Sequence, residues 1–139
     1  YEPTVASHYL AFWRMGIPVE FVCEEDDLSG YKLLVVPMLY LHRAGIAEKL
    51  RRFVSGGGTL VGTYWSGLTD ENDLCFEGPT PGEGLTDVYG LRTEEIDALR
   101  DCDRNHMIWN GKTYELRELC ELVRPAAENG AQVLACYSD

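Results

Sequence analysis

The amino-acid sequence lacks long apolar runs and is short of positive charge. No apolar stretch approaches the roughly 20 residues that a membrane-spanning helix needs. The 12 lysines and arginines are outnumbered by 23 aspartates and glutamates, so the formal net charge at pH 7 is -11. A chain with this charge would be repelled by nucleic acids and by anionic membranes. We therefore expect neither nucleic acid nor a membrane among its partners.

The cysteine spacing of a disulfide framework or a zinc site is also missing. There are 5 cysteines, an odd number, and no Cys-x-x-Cys pair occurs among them. They are Cys23, Cys75, Cys102, Cys120 and Cys136. The 3 histidines add no zinc-ligand spacing. We therefore expect reduced thiols that pack as small apolar residues, a cytoplasmic location, and neither a metal nor a cofactor.

The sequence does contain a strand, a helix and a second strand in close succession. Lys32–Pro37 is nearly continuous in apolar residues, which is typical of a strand buried on both faces of a parallel sheet. Gly45–Ser55 carries an apolar stripe on one helical face and charged residues on the other. The stripe consists of Ile46, Ala47, Leu50, Phe53 and Val54. Because Gly56–Gly58 ends this helix and Thr59–Thr63 reads as the next strand, the sequence predicts a right-handed βαβ unit.

Tyr64–Asp73 follows the second strand and is the candidate functional loop. Open α/β folds place their ligand sites at the carboxyl ends of parallel strands. Large aromatic residues stand at or just beyond the predicted strand ends, and a polar, acidic run closes the loop. These candidates for a subunit interface or a substrate wall are Tyr40, Tyr64, Trp65, Asp70, Glu71, Asn72 and Asp73. Aromatic rings beside polar groups suit subunit interfaces and also stack on sugar rings, and we favour the interface.

The segments on either side of this unit predict further elements. A helix is predicted over Pro3–Met15 and a strand over Val19–Cys23. The Gly- and Pro-rich segment after the loop contains a predicted short helix at Leu85–Tyr89. Leu91–Ile96 is predicted to be a strand.

The last third of the chain predicts antiparallel sheet. Asn110–Gly111, between His106–Trp109 and Lys112–Tyr114, is typical of a two-residue hairpin turn. Glu115–Arg124 is ambiguous between helix and strand, and we favour a strand because a hairpin precedes it. The final predicted strand is Ala131–Tyr137, which is reached through a turn at residues 129–130 (Asn-Gly). The sequence thus predicts an α/β fold with a parallel first half and an antiparallel second half.

Five phrases of the sequence, in the same order, resemble the middle domain of family 42 glycoside hydrolases, which are β-galactosidases. The phrases are Gly16–Val22, Tyr31–Tyr40, Gly57–Val61 with Thr63–Gly67, Asp70–Leu74, and Gly130–Tyr137. This middle domain is known as the trimerisation domain. The resemblance implies a flavodoxin-like or class I glutamine amidotransferase-like three-layer sandwich, with a parallel central sheet and additional antiparallel strands. It also implies that residues 1–139 are one domain truncated at both ends, because family members continue on both sides.

The resemblance also implies a function. The parent protein would be a homotrimeric, retaining enzyme that hydrolyses terminal β-D-galactosides, and these residues would be its non-catalytic oligomerisation domain. Retaining glycosidases use a pair of carboxylates, and in this family that pair belongs to a separate barrel domain. We therefore expect no catalytic residue in this chain. The implied partners are the other subunits and the barrel, with Tyr64–Asp73 contacting a neighbour or walling off its active site.

Two alternatives stay open, namely a standalone small-molecule-binding module and a small enzyme of the amidotransferase or hydrolase type. The segment Thr63–Ser66 stands where class I amidotransferases place a reactive cysteine, and it contains no cysteine. Ser66 is the candidate nucleophile of the hydrolase type. It lacks the flanking glycines of a nucleophile elbow, so we favour a turn hydroxyl bonded to the backbone. The acidic run from Asp70 does not match a calcium-binding loop, because Leu74 and Cys75 occupy the fifth and sixth positions.

Overall fold

The computed structural model describes residues 1–126 and 131–138. The chain divides into two compact units, Tyr1–Phe76 and Glu77–Asp139, and each is described by itself. Among the described residues, no helix is both long enough and apolar enough to cross a membrane.

The first unit contains two helices and four short strands in its described residues. In chain order they are α1 (Glu2–Arg14), β1 (Leu33–Val36), β2 (Leu41–His42), α2 (Ile46–Ser55), β3 (Thr59–Gly62) and β4 (Thr69–Asp70). β1 pairs in parallel with β3, and β2 pairs in parallel with β4. The predicted strand–helix–strand unit is therefore confirmed for β1, α2 and β3.

Helix α2 supplies most of the buried apolar side chains of the first unit. Ile46, Ala47, Leu50 and Phe53, which belong to the predicted stripe, are buried, and Val54 is half-buried. Glu48 and Arg52 lie on the opposite, exposed face, 3.8 Å apart between Oε1 and Nε. The segregation follows from the 3.6-residue period of the helix, which aligns residues spaced by three and four.

Gly58 lies against the buried ring of Phe53, and this contact explains why a glycine precedes β3. A Cβ at position 58 would lie 2.4 Å from Cζ of Phe53 and 2.5 Å from its Cε1. The ring is 9% exposed and has little freedom to move away. The backbone of Gly58 has no positive φ, so the constraint is steric and not conformational.

We expect Gly58→Ala to lower the free energy of unfolding by about 1–3 kcal/mol, because the added methyl group overpacks the core against Phe53. Urea denaturation monitored by circular dichroism would measure the change. Gly30→Ala is the matched control, since a Cβ there meets nothing within 4 Å and no positive φ is required. Equal stability of the two variants would contradict the steric explanation.

The second unit is mainly antiparallel in its described residues. Its elements are α3 (Leu85–Tyr89), β5 (Leu91–Ala98), β6 (Asn105–Trp109), β7 (Lys112–Leu116), β8 (Leu119–Pro125) and β9 (Cys136–Tyr137). β5 pairs with β8, with a register shift between Thr93 and Glu95, and β6 lies between β7 and β9. The predicted hairpin is confirmed, with φ of 49° at Asn110 and 72° at Gly111. The short helix, the strand from Leu91 and the preference for strand near Glu115–Arg124 are also confirmed.

The predicted flavodoxin-like or amidotransferase-like three-layer sandwich is wrong. Parallel pairing in the described residues is confined to two sheets of two strands each, with strands of two to four residues. The longest strands, β5 and β8, are antiparallel. A three-layer sandwich needs a continuous parallel sheet with helices on both faces, and the described residues form none.

Two strand predictions, one wrong and one too long, contribute to the difference between the predicted and the observed fold. Val19–Cys23 has the apolar composition of a strand but forms none, because no other described strand pairs with it. The predicted strand Ala131–Tyr137 is a strand only at Cys136–Tyr137. The turn predicted at residues 129–130 lies outside the described residues. Composition alone predicted strands at both places, but a strand also needs a hydrogen-bonding neighbour.

Candidate functional site

The pairing of β2 with β4 brings the candidate loop against the chain that follows β1. Leu41 pairs with Thr69, and His42 pairs with Asp70. Just before this pairing, the backbone N–H of Gly67 donates to the carbonyl of Leu39 at an N···O distance of 2.7 Å. The N–H of Leu68 likewise donates to the carbonyl of Tyr40, at 2.9 Å. Backbone hydrogen bonds therefore fix the middle of the loop beside Tyr40.

Six of the seven candidate residues come together in this arrangement. We call Tyr40, Trp65, Asp70, Glu71, Asn72 and Asp73 the aromatic–acidic cluster. The rings of Tyr40 and Trp65 have centroids 6.0 Å apart and planes tilted by 50°, which is within the usual range for an aromatic pair. Each of these two residues is 37% exposed. The cluster therefore presents two large rings to solvent, with their orientation restricted by each other.

The hydroxyl of Tyr40 links the aromatic side of the cluster to the acidic side. It donates to Oδ1 of Asp73, at an O···O distance of 2.9 Å. This hydrogen bond to the Asp73 carboxylate, helped by partial desolvation, raises the pKa of Tyr40 above its usual value. The neutral phenol that donates the bond is therefore the form present at neutral pH.

The acidic run folds into a turn held by its own carboxylates. Oδ1 of Asp70 accepts the backbone N–H groups of Asn72 at 2.8 Å and of Leu74 at 3.0 Å. The hydrogen bonds from Leu74 and then Asn72 hold the pKa of Asp70 below its usual value. Oε2 of Glu71 accepts the N–H of Ala44, at 3.3 Å, which ties the turn to the residues before α2. The predicted acidic loop is thus a hydrogen-bonded turn.

Three non-glycine residues in and beside the cluster have left-handed backbone conformations. Met38 has φ of 47°, Trp65 of 56° and Asp73 of 61°. Such a conformation costs an L-residue on the order of 1 kcal/mol and persists where surrounding contacts impose it. Here it turns two side chains of the cluster, those of Trp65 and Asp73, toward Tyr40. Strain of this kind concentrates at functional sites.

The structure does not bring Tyr64 into the cluster. Its hydroxyl lies 3.2 Å from Oγ1 of Thr4 in α1, and the Thr4 hydroxyl lies 3.3 Å from Sδ of Met38.

Ser66, the candidate nucleophile of the hydrolase alternative, donates its hydroxyl to the carbonyl of Thr63 at 2.9 Å. That contact is the turn hydrogen bond that the sequence predicted for it.

Sequence reasoning missed four residues that support the cluster. His42 is 2% exposed and Thr69 is 1% exposed, and they lie in the paired strands β2 and β4. The ring of His42 packs against Phe76, with ring centroids 5.7 Å apart. Ala44 and Leu74 contribute backbone N–H groups, and no sequence pattern identifies backbone donors.

In the described residues, no group of three or more His, Cys, Asp or Glu side chains is placed to hold a metal ion.

We expect Asp73→Asn to lower the pKa of Tyr40 toward its usual value, because the charged acceptor of its hydroxyl is removed. The pKa can be followed by a ¹³C NMR titration of tyrosine labelled at Cζ. Tyr31 is an internal control, since its hydroxyl donates to Oε2 of Glu20 at 2.6 Å and that bond raises its pKa independently. A shift at Tyr31 and none at Tyr40 would contradict the assigned contact.

Comparisons with known proteins agree on one family. Residues 1–139 match the family described as the β-galactosidase trimerisation domain. The β-galactosidase BglY of Alicyclobacillus acidocaldarius is 49% identical over 144 residues, which cover 99% of this chain and 20% of that protein. The β-galactosidase Pbg of Clostridium perfringens is 47% identical over the same shares of the two chains. The chain thus spans about a fifth of the length of these curated relatives.

Solved structures give the same result. The cold-adapted β-galactosidase from Rahnella sp. R3 superposes with a TM-score of 0.92 at 42% identity, covering 100% of this chain and 21% of that one. Gan42B, a GH42 β-galactosidase, superposes with a TM-score of 0.93 at 39% identity, covering 100% of this chain and 20% of that one.

Proposed function

Because the chain belongs to the family of β-galactosidase trimerisation domains, we propose that it is the non-catalytic, subunit-joining domain of a longer homotrimeric enzyme. The observation that carries the proposal is that relatives named β-galactosidases match nearly the whole chain, which corresponds to only a fifth of their length. Residues 1–139 would act as one domain of that enzyme. The parent would hydrolyse terminal β-D-galactosides with carboxylates of a separate barrel domain, and the other subunits and this barrel would be the partners.

The aromatic–acidic cluster is the contact that we propose for this role. Exposed aromatic rings are enriched at the centres of protein interfaces, where they bury much area at little conformational cost. Trp65 and Tyr40 have that exposure, and their mutual packing pre-orders them. The turn formed by Asp70, Glu71 and Asp73 fixes the loop through three hydrogen-bonded carboxylates. A rigid aromatic surface of this kind supports a role in docking or as a wall of a neighbouring active site.

The cysteines support a reducing location for the parent. None of the five, all of which lie in the described residues, forms a disulfide. Cys23, Cys75, Cys102 and Cys136 are exposed free thiols, and cysteines of secreted proteins are more commonly paired in disulfides. We therefore propose the cytoplasm as the location.

The proposal is tested with the full-length protein and with residues 1–139 expressed alone. The native mass of the full-length protein should correspond to three subunits, and it should hydrolyse o-nitrophenyl β-D-galactoside. Residues 1–139 should give no turnover of that substrate. Hydrolysis by residues 1–139 alone would refute the non-catalytic role, and a monomeric full-length enzyme would refute the subunit-joining role.

A further inference from the structure

Helix α1 has an inward face that contacts the rest of the first unit. The hydroxyl of Thr4 lies 3.2 Å from that of Tyr64. The ring of Tyr9 stacks on that of Phe21, with centroids 5.5 Å apart. Phe12 lies on the same side of the helix as Tyr9 and is half-buried. Because helical residues three and four apart share a face, these contacts establish which side of α1 is turned toward the unit.

The outward face of α1 carries a second apolar stripe. We call Pro3, Ala6, Leu10 and Trp13 the outer stripe of α1. Its members are spaced by three, four and three residues, which aligns them along one side of a helix. All four are exposed, with Leu10 at 41% and Trp13 at 63%. No aspartate, glutamate, lysine or arginine lies between the first and the last member of the stripe.

Helix α2 of the same unit shows how a solvated outer face is composed in this chain. It buries Leu50 and Phe53 on one side and exposes Glu48 and Arg52 on the other. A helix face in contact with water is normally charged or polar in this way, whereas a helix that is apolar all round is normally covered on both sides. The outer stripe of α1 therefore has the composition of a covered surface.

We propose that the outer stripe of α1 packs against an apolar helix of another domain of the same longer polypeptide. The inference rests on the proposed function in one respect, namely that the chain is part of a longer protein. A helix is the partner that the spacing favours, because side chains three and four residues apart form the ridges that interlock with those of a second helix. The partner surface is apolar, because a charged group would lose its hydration against Leu10 and Trp13 without gaining a counter-charge.

The size of the outer stripe favours a covalently joined domain over a second copy of the chain. A tryptophan side chain buries at most about 250 Å², and part of the surface of Trp13 and Leu10 is already covered. Stable association of separate chains buries roughly 800 Å² on each partner, which the stripe does not reach. A tethered domain has a high effective concentration, so a smaller contact suffices. The matched region is 20% of the length of the relatives, so most of their residues lie outside it.

Photo-crosslinking in the full-length protein identifies the occupant. Leu10→p-benzoylphenylalanine should give a crosslink within one chain, to a peptide outside residues 1–139, with monomer mass on a denaturing gel. Arg52→p-benzoylphenylalanine is the matched control, because Arg52 is a helical residue of the same unit whose side chain is 73% exposed on the charged face of α2. A crosslink of dimer mass from Leu10, one confined to residues 1–139, no crosslink from Leu10, or the same crosslinked peptide from Arg52 would overturn the inference.

A charge placed on the outer stripe tests whether its apolar character holds the contact. With p-benzoylphenylalanine at Leu10, Trp13→Glu should lower the yield of the crosslink within one chain at least about tenfold, because the contact would desolvate an unpaired carboxylate. Arg52→Glu in the same background should leave the yield within about twofold, because it changes a solvated charge. A yield with Trp13→Glu equal to that with Arg52→Glu would overturn the inference. The native mass of the same sample tests the proposed trimer separately, so either proposal can fail alone.

Discussion

Replacing Trp65 by alanine in the full-length protein is expected to weaken the proposed trimer by at least about 2 kcal/mol per contact, which is roughly a thirtyfold increase in the dissociation constant. The expected effect is large because Trp65 is an exposed, pre-ordered ring beside Tyr40, the arrangement typical of an interface hot spot. Mass photometry over a dilution series would measure the fractions of monomer and trimer.

The matched control for this prediction is Trp109→Ala. Trp109 is 42% exposed, close to the 37% of Trp65, but it lies in β6 of the second unit. Asp70→Ala provides a second variant of the cluster, because it removes the carboxylate that accepts the N–H groups of Asn72 and Leu74. If Trp65→Ala and Asp70→Ala both retained the trimer and full activity, the assignment of this loop to the subunit contact would be wrong.

Leu50→Ala is expected to lower the free energy of unfolding by about 2–5 kcal/mol. Leu50 is 1% exposed and lies at the centre of the buried face of α2, so truncation removes apolar contacts and leaves a cavity. Urea denaturation of the protein, followed by circular dichroism, would give the change from the shift of the midpoint at constant slope.

The control for Leu50 is a change on the opposite face of the same helix. Arg52→Ala removes a side chain that is 73% exposed and whose ion pair with Glu48 is solvated. Its expected effect is within about 0.5 kcal/mol, because exposed ion pairs contribute little. A Leu50→Ala variant no less stable than Arg52→Ala would mean that α2 does not form the core of the first unit.

Several elements followed from local sequence because their determinants are close together in the chain. The stripe of α2 predicted which of its residues are buried, since helical periodicity depends on neighbours three and four residues apart. Asn110–Gly111 predicted the hairpin because both residues tolerate the positive φ that the turn requires. By contrast, Val19–Cys23 was wrongly predicted as a strand, because its state depends on a partner that local composition does not reveal.

At the candidate site, too, the sequence predicted some features and not others. The sequence indicated the aromatic and acidic residues that form the cluster, but it also included Tyr64. Tyr64 and Trp65 are adjacent, yet the left-handed backbone at Trp65 sends one ring toward Tyr40 and leaves the other hydroxyl near Thr4. The hydrogen bond between Tyr40 and Asp73 joins residues 33 positions apart, and no spacing rule predicts it.

The sequence by itself determined the family, the βαβ unit around α2 and the antiparallel hairpin. The unit and the hairpin depend on residues that are close together in the chain, and the family is identified by phrases in a recognisable order. Only the tertiary structure decided how far the parallel sheets extend and which candidates meet at the site. The physical reason is that ladders and side-chain hydrogen bonds form between segments far apart in the chain, and their free energy depends on which partner is present.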